Sequence, residues 1–310
     1  DATQGWIPTT DDDVTDAPYK GNSEGIFGYG HDGNFSAVSN LVSNTGVVAT
    51  DVTGVGTARY YIAACEYGGD KGIFGYGSTA SFQSMSNLVS NAGVVATDTA
   101  GVGTARGYLG ACDYGGDKGI FGFGYATGAG NYSAATNLVS NAGVVATDQA
   151  AVTGTARYGI VACEYGGDKG IFGFGTNDVI YMGLTNLVSN AGVVASDTAA
   201  VAGVTARGYS GACGYGGDKG IFGFGTTGTR VSTTNLVSNT GVVASDTAGV
   251  GTARHVCAAT QYDIDKGIFG FGNDGSAAGM TNLVSNTGVV ATDVTAVGTA
   301  RQGPAACSFN

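Results

Sequence analysis

Short apolar segments, separated by glycine, asparagine, aspartate and serine, recur along the chain from residue 24 onward. Each segment is five to nine residues long and rich in valine, isoleucine, phenylalanine or tyrosine, which is typical of β-strands. No window keeps apolar residues at positions i, i+3, i+4 and i+7, the pattern of an amphipathic helix. The pattern therefore predicts an all-β protein.

These segments belong to a repeat that occurs six times. Its clearest marker is Gly-Ile-Phe-Gly-aromatic-Gly, and successive markers are 47, 47, 51, 50 and 47 residues apart. The isoleucines of the markers are Ile26, Ile73, Ile120, Ile171, Ile221 and Ile268. Each repeat holds four apolar segments, and four strands per repeat of this length are the signature of one β-propeller blade. We therefore predict a six-bladed β-propeller of four-stranded antiparallel blades.

The two ends of the chain predict that the ring is closed. The first repeat lacks the strand that precedes its marker, and residues 305–309 are an orphan copy of that strand. We expect the N- and C-terminal strands to pair in one blade, whereas an open solenoid would carry atypical polar caps. The propeller is predicted over residues 19–310, and residues 1–18 are predicted to be an N-terminal extension or tether.

The order of motifs within a repeat resembles that of kelch-type propellers. An arginine leads into an inner strand of small residues, a glycine-rich strand follows, and two outer strands complete the blade. For one blade this resemblance implies Arg59 and then strands at 60–65, 71–77, 86–90 and 93–98. It covers about residues 24–309 and implies blades around a central channel.

The amino-acid sequence of the repeats also resembles that of glycine-rich tandem-repeat proteins of marine and cyanobacterial tailed phages, which are generally taken to be virion or fibre components. This resemblance implies a structural protein of a bacteriophage particle. The alternative is a free or secreted, extracellular lectin-like module that binds carbohydrate or protein.

Composition and charge restrict the partners. The chain has 57 glycines and 3 prolines in 310 residues, yet 43% of its residues are hydrophobic, which is too many for a disordered chain. Its net charge of -11 repels nucleic acid and anionic lipid. No apolar run approaches the roughly 20 residues that span a bilayer, so membrane insertion is not expected.

The residues that usually carry catalysis are scarce. The chain has only two histidines, His31 and His255, and no nucleophile elbow, zinc-protease motif or P-loop. The six cysteines occur one per repeat and lack zinc-type spacing, so we interpret them as buried free thiols. We predict no enzymatic activity, no catalytic residues, no cofactor and no metal site.

Each repeat also carries one arginine at an equivalent position, which follows an aspartate by eight to ten residues. A ring of arginines is one hypothesis for an anion site, but six-fold repetition favours a structural role at each blade junction. An Asp-Lys pair that recurs in five repeats is interpreted as turn chemistry with a solvated charge. The arginines are Arg59, Arg106, Arg157, Arg207, Arg254 and Arg301.

Sequence differences between repeats point to the candidate binding surface. Variation concentrates between the second and third strands of each repeat, and loops on a rigid scaffold often carry binding. Aromatics with small polar neighbours suit saccharide or protein surfaces. The candidate ligand-binding residues are Phe35, Phe82, Tyr132, Tyr181 and Arg230. A second variable patch directly follows each junction arginine and is expected on the opposite face.

The first 18 residues contain the chain's single tryptophan. We predict that Trp6 and Ile7 dock on another virion protein, although a disordered leader is an alternative. The leading hypothesis is a surface-displayed virion component that contacts host surface glycans through its variable loops.

Overall fold

The computed structural model describes residues 23–127, 130–149, 154–295 and 297–310, and these residues contain strands and turns but no helix. The all-β prediction is confirmed. The strands are β1 (Glu24–His31), β2 (Phe35–Val42), β3 (Ala63–Tyr67), β4 (Lys71–Gly75), β5 (Ser86–Val89), β6 (Arg106–Gly107), β7 (Gly110–Tyr114), β8 (Lys118–Gly122), β9 (Tyr125–Ala126), β10 (Thr136–Val139), β11 (Val161–Tyr165), β12 (Lys169–Gly173), β13 (Thr185–Val188), β14 (Gly211–Tyr215), β15 (Lys219–Gly223), β16 (Thr234–Val237), β17 (Ala258–Tyr262), β18 (Lys266–Asn273), β19 (Ala277–Val284) and β20 (Ala305–Phe309).

These strands form six three-stranded antiparallel sheets and one two-stranded sheet, β6–β9. We number the larger sheets by repeat: sheet 1 is β20–β1–β2, sheet 2 is β3–β4–β5, sheet 3 is β7–β8–β10, sheet 4 is β11–β12–β13, sheet 5 is β14–β15–β16 and sheet 6 is β17–β18–β19. Sheet 1 joins the two ends of the described chain, because β20 pairs with β1 from Glu24–Phe309 to Gly28–Ala305. This architecture is compatible with a propeller-like repeat fold.

The prediction of a continuous fourth strand in each blade is wrong. In sheet 2 the outer segment touches β5 through two isolated bridges, Val89–Val95 and Ser86–Thr99, which differ by one residue in register. Between them the Asn87 side chain donates to the carbonyl oxygen of Ala96, at 3.0 Å. A side chain therefore replaces part of the backbone ladder, and the segment bulges away as at a β-bulge.

The predicted inner strand at 60–65 is displaced in the structure to Ala63–Tyr67. Tyr61 has a φ of 53°, which interrupts extended backbone before the strand begins. In sheet 2 the second strand ends at Gly75 rather than Gly77, and Tyr76 follows it with a φ of 64°. In sheets 1 and 6 the strand continues past the equivalent residue, with a β-bulge. The Gly-aromatic-Gly motif is therefore a left-handed kink that turns its aromatic ring out of the strand.

The sheets are linked in sequence by backbone hydrogen bonds. The residue two positions after each junction arginine donates its N–H to a carbonyl oxygen of the previous repeat, at 2.7 to 3.0 Å. The acceptor is the residue at the equivalent position of that repeat. The donor in the first link is Tyr61 and its acceptor is Gly303, so the six bonds return to their starting point. We call this set the inner rim: Tyr61, Tyr108, Gly159, Tyr209, Val256 and Gly303.

The core lies between neighbouring sheets, where phenylalanines pack on glycines. A Cβ added at Gly75 of sheet 2 would lie 2.7 Å from the Phe121 ring of sheet 3, so the glycine is required for this close approach. Phe27 of sheet 1 fills the same place against Gly270 of sheet 6. The six cysteines are free and buried.

Ile264 occupies a turn position that suits glycine. Its φ is 67° and its side chain is 47% exposed, whereas the equivalent Gly217 has a φ of 78°. A β-branched residue is sterically disfavoured in this conformation. We expect Ile264→Gly to raise the free energy of unfolding by about 1 kcal/mol, measured by urea denaturation.

The reverse substitution, Gly217→Ile, is the matched control. A Cβ added at Gly217 meets no atom within 4 Å, so the substitution isolates the backbone term, and we expect a loss of about 1 kcal/mol. Equal stability of both variants and the wild type would contradict this account.

Candidate functional site

The six junction arginines are completely buried, each between two sheets. Arg59 is representative: its Nε donates to the carbonyl oxygen of Tyr76 at 2.7 Å, and its Nη2 donates to Asn87 Oδ1 at 2.6 Å. Its guanidinium lies 4.5 Å above the ring of Tyr29 in the previous sheet. Asp98 Oδ1 is 3.8 Å from Nη1. These contacts and this burial leave no guanidinium surface facing solvent for an external anion.

The aspartates at these junctions are held in their ionised form. Burial acts to raise the pKa of Asp98, but hydrogen bonds from Thr57 and Asn87 and the charge of Arg59 lower it below its ordinary value. Thr57 belongs to the connection entering sheet 2, and its Oγ1 donates to Asp98 Oδ2 at 2.7 Å. Each aspartate therefore fixes the connection that carries the arginine.

The Asp-Lys pairs lie at the turns between the first and second strands of their sheets. Lys118 Nζ is 2.6 Å from Asp117 Oδ1, and Asn141 donates to the other carboxylate oxygen at 3.1 Å. We call the end of the sheets that carries these turns the turn face. The opposite end, which carries the variable connections between the second and third strands, is the loop face.

The two variable patches lie together on the loop face. Tyr60 pairs with Ser78 in an isolated β-bridge, and Tyr158 pairs in the same way with Thr176. The expectation that the second patch occupies the opposite face is therefore wrong. The first and second strands of each sheet are antiparallel, so the residue before the first strand lies beside the variable loop that follows the second.

Aromatic rings connect much of the loop face into one network. Tyr61 stacks on Tyr108 with ring centroids 3.7 Å apart, and Tyr108 meets Tyr209 edge to face at 5.7 Å. Contacts of this kind extend outward on both sides. The outlying members are His31, Phe35, Tyr60, Phe82, Tyr125, Tyr132, Tyr158 and His255.

One carboxylate organises part of this network. Asp178 accepts hydrogen bonds from the hydroxyls of Tyr132, at 2.8 Å, and Tyr158. The two tyrosine rings are stacked, with centroids 5.8 Å apart and an interplanar angle of 8°. Asp178 comes from the variable loop of sheet 4 and Tyr132 from that of sheet 3, so this contact fixes two loops relative to each other.

A cavity of about 500 Å³ opens on the loop face beside the inner rim. Its walls combine three inner-rim tyrosines with the variable loops of sheets 4 and 5. Its lining includes Tyr61, Tyr108, Tyr209, Tyr181, Arg230 and His255. Burial, followed by the charge of Arg230, lowers the pKa of His255 below its ordinary value, so His255 is neutral at pH 7.

The structure divides the predicted ligand-binding residues into three places. Tyr181 and Arg230 line the cavity. Phe35 packs with His31 and Tyr60 on one side, and Phe82 and Tyr132 pack with Tyr125 on the other. Trp6 and Ile7 lie outside the described residues.

Sequence reasoning missed the inner-rim tyrosines. Their position is aromatic in three repeats and glycine or valine in the other three, a variation that signals something other than shared packing. All three have positive φ, at 53°, 58° and 57° for Tyr61, Tyr108 and Tyr209. Burial raises the pKa of each of their hydroxyls, so these groups stay protonated.

Below the inner rim, a narrow channel of about 50 Å³ is lined by the first strands of all six sheets. Alanines line its middle, and acidic side chains lie nearer the turn face in sheets 2 to 4. Glu164, one of these acids, accepts a hydrogen bond from Gln261 of sheet 6 at 3.3 Å. The three acids are Glu66, Asp113 and Glu164.

The sequence matches no protein-family model, and no curated protein is detectably similar to it. The kelch and phage resemblances therefore rest on the sequence motifs alone.

Within the described ranges, no three histidine, cysteine, aspartate or glutamate side chains are placed to hold a metal ion. The described part of the chain also contains no helix long and apolar enough to cross a membrane.

Proposed function

We propose that the protein is a non-enzymatic saccharide-binding module whose ligand lies over the inner rim, in the loop-face cavity. The observation that carries the proposal is the group of three tyrosines held in left-handed backbone at positions where Gly159 and Gly303 stand in other repeats. Strained backbone of this kind clusters at functional sites and supports a hypothesis of function. Tyrosine is also a rigid, amphipathic contact residue.

The chemistry of the cavity favours a sugar over other ligands. The electron-rich face of an aromatic ring attracts polarised C–H groups, such as those on one face of a pyranose ring, while tyrosine hydroxyls offer hydrogen bonds to sugar hydroxyls. A volume of about 500 Å³ falls within the usual range for small-molecule sites. The net charge of -11 argues against nucleic acid.

The scaffold we propose for this module is a closed six-bladed β-propeller with an incomplete outer strand in each blade. Two sets of contacts support it. The inner-rim hydrogen bonds lead from each repeat to the next and return to Tyr61. The junction arginines do the same, ending with Arg301 of sheet 1 above the Phe271 ring of sheet 6, at 4.0 Å.

Display on a phage particle is the further proposal that the sequence resemblance supports, with residues 1–18 as the attachment segment to other virion proteins. A secreted lectin-like protein is the alternative location for the same binding module. Both share the saccharide site, so the binding test below applies to either.

The test uses a glycan array followed by calorimetric titration of the best ligand. We expect wild-type protein to bind, and Tyr209→Gly to weaken binding at least about tenfold, because it removes a ring from the cavity wall. The same substitution relieves left-handed strain at a position that accepts glycine in other repeats, so the free energy of unfolding should not fall by more than about 1 kcal/mol.

The matched control is Val47→Ser, which changes a side chain that is 63% exposed on the outer segment of repeat 1. It should leave affinity unchanged. Absence of binding to any glycan, or equal affinity of wild type and Tyr209→Gly, would refute a saccharide site at the inner rim.

A further inference from the structure

Arg230 stands where four of the other five repeats place an aromatic residue. In each repeat a pair of residues closes the variable turn, one before the turn and one after it, as in the bridges Thr176–Tyr181 and Thr226–Arg230. Arg230 is the residue after the turn in its pair. The six residues at this position are Phe35, Phe82, Tyr132, Tyr181, Arg230 and Ala277. The fold therefore accepts an aromatic residue or alanine here, and packing does not require an arginine.

The other positive charges of the described chain have structural partners. The six junction arginines are buried between sheets. The described lysines pair with aspartates at the turn face, as Lys219 does with Asp218 at 2.6 Å. Arg230 is thus the one arginine outside the repeated junction position.

Arg230 is exposed and lines the loop-face cavity. Its Nη2 donates to the neutral side chain of Asn273, at 2.9 Å, and no carboxylate of the described residues lies within 4.0 Å of its guanidinium. The bond to Asn273 of sheet 6 fixes one edge of the guanidinium. His255, the other ionisable nitrogen base of the cavity, is neutral at pH 7, so the positive charge of the cavity comes from Arg230.

We propose that the saccharide bound in this cavity carries a monoanionic group, a carboxylate or a sulfate ester, that pairs with Arg230 while its rings stack on the tyrosines. This inference rests on the proposed saccharide-binding function. A guanidinium presents paired donors that match the two oxygens of such a group. The protein's net charge of -11 disfavours ligands with a high charge density, which argues for one negative charge per recognised unit.

The experiment compares matched pairs of probes by calorimetric titration. One pair is galacturonate and its methyl ester, and the other is a monosulfated galacto-oligosaccharide and its unsulfated parent. We expect the charged member of at least one pair to bind about tenfold more tightly, as for one charge-assisted hydrogen-bonded contact. The pair that shows the preference identifies the anion as carboxylate or sulfate. Raising the salt concentration should weaken binding of the charged member only.

Two variants separate charge from shape. Arg230→Tyr installs the side chain that repeat 4 carries at this position, and it should bind both members of each pair equally while remaining folded. Arg230→Lys keeps the charge without the paired donors and should retain part of the preference.

The outcomes distinguish the two proposals. If wild type binds charged and neutral probes equally, or if Arg230→Tyr keeps the preference, the anionic ligand is refuted and the saccharide site stands. If wild type binds none of the probes or array glycans, the proposed function itself fails, and this inference fails with it.

Discussion

We expect a variant that lacks residues 305–310 to show no cooperative unfolding transition when it is heated from room temperature. The deletion removes β20, the first strand of sheet 1, which pairs with β1 over five residues and contacts β3 and β17 of the flanking sheets. It exposes Ile26 and Phe27, which are completely buried in the intact chain. Circular dichroism during heating and binding of a hydrophobic dye would measure the effect.

A circular permutant is the matched control for this deletion. In sheet 2 the first and second strands are joined by residues 68–70, and Gly68 has a φ of 68°. Asn310 occupies the equivalent place in sheet 1 with a φ of 77°, and Ser23 donates its N–H to the carbonyl oxygen of Asn310 at 3.3 Å.

Joining Asn310 to Ser23 through one glycine therefore rebuilds the turn, and new termini can be opened between Thr227 and Gly228 in an exposed loop. We expect this permutant to be at least as stable as wild type, because the covalent link lowers the entropy cost of bringing the two strands together. A truncated chain that unfolds as cooperatively as wild type, or a permutant that fails to fold, would contradict the role assigned to the β20–β1 pairing.

Arg157→Met is expected to lower the free energy of unfolding by about 3 kcal/mol, a value typical of removing one member of a buried charge pair. Arg157 donates to the carbonyl oxygen of Phe174 and to Asn186 Oδ1, both at 2.7 Å, and lies 3.5 Å from Asp197. Burial lowers the pKa of Arg157 to about 10, so the side chain is charged at pH 7. Methionine fills a similar space but leaves these acceptors without a donor.

The control for this prediction is Arg230→Met, which removes the same group from an exposed position. Its effect on stability should lie within about 0.5 kcal/mol. Guanidinium chloride denaturation of the two variants beside wild type measures both changes. A loss below about 1 kcal/mol for Arg157→Met would mean that the junction arginines contribute little beyond filling space.

The six junctions are not equivalent in their polar contacts. At the junction between sheet 6 and sheet 1, Arg301 Nη2 and Asn40 Oδ1 lack the hydrogen bond that the corresponding atoms form elsewhere. This junction joins segments from opposite ends of the chain. Strand β20 takes part in this junction through its contacts with β17 of sheet 6, so the deletion of residues 305–310 also weakens it.

The amino-acid sequence by itself determined the strand content, the six-fold repeat and the position of most strands. Ile-Phe-Gly segments bounded by turn residues are locally consistent with one structure, and repetition presents that signal six times. The orphan strand at 305–309 indicated its partner because one repeat lacked that strand. The junction position of the arginines was a hypothesis from repetition, and its burial is visible only in the structure.

The tertiary structure decided how the variable residues are grouped. The two variable patches of each repeat come to the same face because the first and second strands are antiparallel, which places the residue before the first strand beside the residue after the second, as Tyr60 lies beside Ser78. The outer strand was overpredicted because Asn87 and its equivalents replace backbone contacts with side-chain contacts, and such competition depends on residues 9 to 11 positions away. The placement of Arg230 beside tyrosines from three other repeats follows from packing between sheets, which no single repeat specifies.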